Sequence, residues 1–367
     1  MTSSRLLWQN FATFGGSIIA ADSATISFPI RRIRDTLLSN RWRSASGWTI
    51  VAGFNNKIDF NRSGVKVATL TAGTYATGDA MAVAIVAALE AADSTPAWAC
   101  SYSASTHKFT ISADVSFVLL FGTGSNLAVS AGKDLGYAVS DTASATSAVA
   151  GLASYQSRHY ITVDIGVAQD VKAMIVNSHN AGESGTFTVS ADATSVAGAL
   201  ASPDYTTTLD STENKDRIRA KVLSSAQTYR YWALVIDDVQ NTDGYSEVAN
   251  FYLGEWLELD LPARGLSKQP VDYSTLAFAD QGAQYQDRKQ RTRRWEYKFA
   301  VLTEAKVDEI DSAGTQLLTG GTFFFQRDPE ADAGEIIYAF FTDLPRIDQS
   351  YGADQWGVTM SIQEALG

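Results

Sequence analysis

Apolar and polar residues alternate along much of the chain. Ile161, Val163, Ile165 and Val167 fall on one face of an extended segment, while Thr162, Asp164 and Gly166 fall on the other. This period of two is the signature of a strand half buried in a sheet. The same alternation recurs over 171–176, 186–190 and 229–236, and Gly, Asn and Asp collect between the runs, as in 177–185. Those residues suit turns because they tolerate dihedrals that others avoid. Short strands spaced this regularly predict a β-sandwich. Further strands are expected over 57–60, 65–70, 109–112 and 117–121.

Two segments carry a helical period instead. Over 79–92, Ala82, Ile85, Val86 and Leu89 repeat at helical spacing in an Ala-rich run, with Thr77 or Asp79 available as N-cap. Over 303–318 the apolar positions are Val307, Ile310 and Leu317, Thr303 is the expected N-cap, and Glu304 sits in the first turn, where the helix dipole favours it. Gly314 predicts a kink or stop near the end of this second helix. Between 139 and 154 nearly every residue is Ser, Thr, Ala or Gly, a composition expected to form a linker. It closes a segment that opens near Gly53 and holds strands and the Ala-rich helix, which reads as a small α+β unit inserted in a β-domain. Pro262, Gly265 and Pro270 punctuate a second boundary.

Composition narrows the classes of function. The chain has 367 residues, enough for two or three domains, and 45% of them are apolar, enough for cores without disulfides or metals. Cys100 is the single cysteine, so an intramolecular disulfide is excluded and folding in a reducing compartment is expected. Residues 1–10 lack a basic stretch leading into an apolar one, and no apolar run approaches membrane-spanning length, so neither secretion by the usual route nor a membrane span is expected. The net charge of −11 and pI near 4.8 argue against stable nucleic-acid binding, which depends on neutralising phosphates with Lys and Arg.

Three stretches resemble known families. Ser27-Phe28-Pro29-Ile30 through Trp42-Arg43-Ser44, continued by Tyr160-Ile161-Thr162-Val163-Asp164-Ile165-Gly166, resembles the discoidin or galactose-binding-like jelly roll, with 173–180 and 229–236 matching its next strands. The intervening segment resembles small domains of phage tail and virion proteins, through Asn56-Lys57-Ile58-Asp59-Phe60, Ala72-Gly73-Thr74-Tyr75, the Ala-rich helix, Lys108-Phe109-Thr110-Ile111-Ser112 and Asp134-Leu135-Gly136-Tyr137. The C-terminal part resembles phage tail or baseplate domains. There Trp295-Glu296-Tyr297-Lys298-Phe299 leads to a helix opening Leu302-Thr303-Glu304-Ala305, followed by Phe323-Phe324-Phe325-Gln326-Arg327-Asp328-Pro329 and a closing strand over 356–364.

Together these imply a mainly β protein. A split jelly-roll β-sandwich (1–52 with 154–262) would carry an inserted small α+β domain with its linker (53–153), followed by a C-terminal β-domain with one main helix (263–367). They also imply a distal-tail-like structural subunit of a virion, assembled in the host bacterial cytoplasm. Its partners would be other tail subunits in a homo-oligomeric ring joining tube to hub or fibres. Because jelly rolls of this type often bind sugars at the loops of one end, a carbohydrate-binding, receptor-recognising module with a host glycan as ligand is the alternative. Trp48 and Tyr155 are its candidate aromatics.

Catalytic motifs are scarce. His107, His159 and His179 are far apart and none has a His or Cys neighbour at helical spacing. Gly132-Lys133 lacks the upstream glycine of a phosphate loop, and no Gly-x-Ser-x-Gly occurs. The carboxylates at Asp237, Asp238 and Asp243 suit a surface loop or cap, and those at Asp308, Glu309 and Asp311 a solvated helix face. No catalytic residue, cofactor or metal is therefore expected. Arg288, Lys289, Arg291, Arg293, Arg294 and Lys298 concentrate positive charge in an acidic chain. They are the candidate protein interface, a strip able to dock on an acidic neighbour, against the plainer reading of a charged edge strand protected from aggregation. A second basic set, Arg31, Arg32, Arg34, Arg41 and Arg43, flanks Trp42 and is expected to stack within the jelly roll. The run Phe323 to Phe325 is expected to be buried on both faces or covered by a neighbouring subunit.

Overall fold

The computed structural model describes residues 4–7, 9–13, 17–34, 39–211, 218–259, 267–272, 275–278, 284–287, 291–317, 321–326, 336–349 and 356–365. The molecule is mainly β, built from antiparallel sheets around separate cores.

Two long strands organise the jelly roll. His159–His179 and Ile218–Asp237 run antiparallel along their lengths, and their register shifts between Asp164 and Gln169 and again between Val171 and Ala173. Near one end they are flanked by Ile18–Ala21 and Thr186–Asp192; near the other, His159–His179 pairs with Glu247–Gly254, which pairs with Trp42–Arg43. Trp42, Phe187, Trp232 and Phe251 are the largest fully buried side chains of the jelly roll's core. The expectation of separate strands over 161–167 and 171–176 is corrected to the single strand His159–His179. Val167 does not continue the apolar face but is 63% exposed. Gly166, at φ +85°, sits where the pairing register shifts, and a bulge of this kind turns the following side chain outward.

The segment after Trp48–Ile50 folds as a sheet with one helix against it. Lys57–Asn61 pairs with Val65–Thr69 and with Lys108–Leu119, a single strand where two were expected. The helix Gly78–Ala92 is capped by Thr77, whose hydroxyl accepts from the Ala80 N–H at 3.2 Å, and it buries Met81, Ala82, Ile85 and Leu89. The Ser/Thr/Ala/Gly segment expected to be a linker is instead structural. Ala145–Val149 pairs with Lys108–Leu119, and the Tyr137 hydroxyl donates to the Ala148 carbonyl at 2.9 Å. Side chains as small as Ala148 and Ala150 let this strand close over Tyr137, which shares their core.

The third core belongs to a seven-stranded sheet that carries the helix Glu304–Leu317 on one face. Trp295, Tyr297 and Phe299 point to that helix, and Arg294, Glu296 and Lys298 to the opposite face. The helix runs through Gly314 without stopping. A Cβ there would lie 3.0 Å from the Pro345 ring, so the glycine admits a close neighbour. Two strands from the ranges assigned to the jelly roll, 1–52 and 154–262, lie in this sheet. Ser4–Leu7 is paired on one side with Leu257–Leu259 and on the other with Thr322–Gln326.

The alternation within Ser4–Leu7 explains its placement: Leu6 enters the core under the helix, while Leu7 enters a second apolar layer on the sheet's other face. That layer joins the sheet to the jelly roll. Phe324, Ile336 and Tyr338 meet Ala173, Ile175, Tyr252 and Trp256, with Tyr252 edge-on to Phe324 at 5.3 Å. Phe323 and Phe325 face the helix side, so the triple aromatic is buried on both faces inside the chain. The Arg327-Asp328-Pro329 continuation lies outside the described residues.

Candidate functional site

The insertion leaves the jelly roll after Ile50 and returns at Ser154, and both crossings are tied to the sandwich loops. Gly47 donates to the Gly244 carbonyl at 3.1 Å, Tyr155 to the Val239 carbonyl at 2.8 Å, and the Gln156 side-chain amide to the Asp238 carbonyl at 2.8 Å. Arg158 reaches Asp134 of the insertion in a buried ion pair at 2.9 Å. Burial lowers the guanidinium pKa, but the facing carboxylate outweighs it and holds Arg158 above its ordinary value.

Of the two aromatics expected to serve a sugar, Trp48 is buried and Tyr155 half-buried. Trp48 is buried among Tyr102 and Phe109, and its indole donates to the Ser154 hydroxyl at 2.9 Å. Tyr155 lies against the His107 ring, 4.2 Å between centres. Both hold the insertion to the sandwich, a tertiary role that their local sequence does not signal.

Beside this junction lies a cleft of about 390 Å³ between the two units. The insertion side offers Lys133 and the exposed aliphatic Val139 and Leu152; the sandwich side offers Ser184, Thr186 and Asp237. Lys133 Nζ stands 3.4 Å from Asp237 Oδ2. The buried Asp238 carboxylate beside it accepts from the Gly182 N–H at 2.9 Å, and burial raises its pKa. The cleft can present a carboxylate, an ammonium and two hydroxyls beside an aliphatic surface, an arrangement suited to holding a hydroxyl-rich ligand.

The histidines serve separate places. His107 Nδ1 lies 3.1 Å from the Tyr102 hydroxyl, His159 Nδ1 lies 2.7 Å from Asp22 Oδ2, and His179 packs on Phe187. Of the second basic set, Arg32 and Arg43 stack on aromatic rings of the jelly roll. Arg43 lies between Phe28 and Tyr245, 4.2 and 4.1 Å from their centres, and Arg32 lies over Phe28. Arg41 and Arg43 both reach Glu247.

In the basic strip, Arg288 and Lys289 lie outside the described residues. Arg291 is in register with Asp272 in the strand Arg291–Leu302. Arg293 pairs with Glu364 at 2.9 Å and lies over Trp295, Arg294 pairs with Asp343 at 3.1 Å, and Lys298 pairs with Glu296 at 3.1 Å. Arg293, Arg294 and Lys298 thus have carboxylate partners on their own sheet.

No protein-family model matches the chain, and no curated protein matches it. Among solved structures, the chain is similar to a chitosan-binding module of a chitosanase/glucanase from Paenibacillus sp. IK-5. The identity is 14%, covering 67% of this chain and 99% of that one, with a TM-score of 0.30. It is also similar to the family 32 carbohydrate-binding module of NanJ from C. perfringens, solved with galactose, at 9% identity, 69% and 99% coverage and a TM-score of 0.29. Likenesses this distant carry nothing to a site in this chain. No helix among the described residues is long and apolar enough to cross a membrane.

Proposed function

We propose that the chain is a structural subunit of a bacteriophage tail tip or baseplate, part of a symmetric ring that acts through protein contacts. The observation that carries this reading is the way the three units lock together. The insertion closes one end of the sandwich and takes Trp48 and Tyr155 into internal contacts, and the C-terminal sheet is fixed to the sandwich by the apolar layer around Phe324. A body braced at both junctions suits a part that transmits position rather than one that closes on a ligand. The ordered resemblances over 56–137 and 295–364 support the same reading. Arg294 and Lys298, on the face away from the helix, belong to the surface proposed to meet a neighbour. Antibody raised against the purified chain should label one end of the tail in electron micrographs of particles from the encoding genome; unlabelled particles would overturn the reading.

The cleft between insertion and sandwich favours a second reading, a carbohydrate-binding module of the virion. Asp237, Lys133, Ser184 and Thr186 would bond sugar hydroxyls while Val139 and Leu152 cover a sugar's apolar face. On a glycan array the purified chain should then retain a restricted set of sugars, and Asp237→Asn should lose them. Binding unchanged by that substitution would place the sugar elsewhere, and an empty array would remove the reading.

A further inference from the structure

The strand Val65–Thr69 forms one edge of the insertion's sheet, paired on one side with Lys57–Asn61. Leu70 donates to the Asn56 carbonyl at 2.8 Å, and Arg62 donates to the Gly64 carbonyl at 3.2 Å. Because bonding direction alternates along an antiparallel strand, residues 64, 66, 68 and 70 bond inward. The N–H and C=O groups of Val65, Val67 and Thr69 therefore point outward along the edge.

Edges left in this state usually carry a guard such as proline, a bulge or an outward charge. This strand carries none of them itself, and the charge reaching its outer face is that of Lys57 on the neighbouring strand, whose Nζ donates to the Thr69 hydroxyl at 2.8 Å. The edge strand's single charged residue, Lys66, is on the inner face, where Nζ lies 2.9 Å from Asp93 beside the Arg62–Asp93 pair at 2.6 Å. The outer face offers Val65, 63% exposed, Val67 and Thr69, all β-branched residues suited to cross-strand packing. The other end of the C-terminal sheet shows the contrast: its edge strand, Ser267–Asp272, contains both Lys268 and Pro270.

We infer that Val65–Thr69 pairs antiparallel with the same strand of a second copy of this chain, about a two-fold axis at Val67. That register sets Val65 opposite Thr69, Val67 opposite Val67, and Lys66 opposite Ala68. No charge then faces a like charge, and the unpaired backbone groups of both edges are satisfied at once. Self-complementarity of this kind is what an isologous contact requires. Asp93 contributes by holding Lys66 away from the approaching strand. The pairing is a contact between copies in solution and does not depend on a virion role. Its failure would leave the tail reading standing, and a failure of virion labelling would leave the pairing standing.

The test uses the full chain with Cys100→Ser as background. In a hydrogen-bonded antiparallel pair the Cα atoms lie about 5.5 Å apart, within disulfide reach. Val67→Cys should therefore cross-link to a dimer on mild oxidation, whereas Val83→Cys, more exposed on the helix Gly78–Ala92 (70% against 38% for Val67), should stay monomeric. In analytical ultracentrifugation the unmodified chain should show a concentration-dependent dimer that Val67→Pro abolishes. If Val67→Pro fails to fold, Val65→Lys with Val67→Lys serves in its place. A chain that remains monomeric at all concentrations, equal cross-linking at 67 and 83, or a dimer that survives the edge substitutions would overturn the inference.

Discussion

Arg158 and Asp134 face each other across the junction between sandwich and insertion, Nη2 to Oδ2 at 2.9 Å, with a second Arg158 Nη2 bond to the Ser130 carbonyl at 3.0 Å. Both side chains are withdrawn from solvent, so each is tolerable only because the other is present. Asp134→Ala leaves the guanidinium buried and unpaired. It should destabilise the chain by about 3–5 kcal/mol, and Asp134→Ala with Arg158→Met should recover part of that loss. Urea unfolding of the single and double variants checks this; a double variant no more stable than Asp134→Ala would show that the pair is not the cause.

Asp93 gives the insertion a pH dependence. Hydrogen bonds from Arg62, then from Lys66, hold its carboxyl well below its ordinary value of 3.8. A depressed folded-state pKa contributes stability that is present above the unfolded value and lost as pH falls towards the folded one. Melting temperature should therefore drop as pH falls below 3.8, and Asp93→Asn should flatten that part of the profile while lowering stability at neutral pH. Thermal melts from neutral to strongly acidic pH measure it, and parallel profiles for the two proteins would assign the acid sensitivity elsewhere.

Features set by neighbours in sequence were legible beforehand. The Thr77 cap follows from a hydroxyl placed three residues before Ala80, and the inward face of Trp295, Tyr297 and Phe299 from simple alternation. What depended on distant partners was not. Nothing in Ser4–Leu7 reveals that it inserts between Leu257–Leu259 and Thr322–Gln326, since its alternation would suit any sheet buried on both faces. The strand Ala145–Val149 was hidden by its small side chains, whose fitness depends on the bulk of Tyr137 beside them. Trp48 carries the same local signature as a ligand-stacking tryptophan, and only the return of the chain at Ser154 decides that it is internal. The cleft was missed because Lys133 and Asp237 meet only when insertion and sandwich dock; the Asp237-Asp238 pair was its one visible sign.

Gly78 opens the insertion's helix against the Tyr102 ring, and a Cβ at this position would lie 2.2 Å from ring carbons. Alanine is the better helix former by about 1 kcal/mol, which alone would favour Gly78→Ala. The ring cannot yield cheaply, because its hydroxyl donates to the Ser154 carbonyl at 2.9 Å and its face packs on Phe109. Overpacking should prevail, for a net loss of about 1–3 kcal/mol by chemical denaturation. A variant as stable as the parent would mean that Tyr102 moves freely.

Phe324 stands alone among its two neighbours in facing the jelly roll, edge-on to Tyr252 and 4.9 Å from Tyr338. Truncation to alanine should cost about 3–5 kcal/mol, as for a fully buried aromatic. The place of that loss matters more than its size. Phe323 and Phe325 support the core under the helix and would remain, so Phe324→Ala weakens the layer between two units that each keep their own interior. The C-terminal sheet and the sandwich, expected to unfold together in the parent, should then separate, and calorimetry should resolve two transitions where the parent gives one. Phe323→Ala, which opens the inner core, should instead lower the transition of the C-terminal unit. Lys298→Ala, on the exposed face, should change stability by no more than about 0.5 kcal/mol. A single undivided transition for Phe324→Ala at the parent's temperature would show that the apolar layer does not couple the units, and would remove the main physical support for a braced subunit.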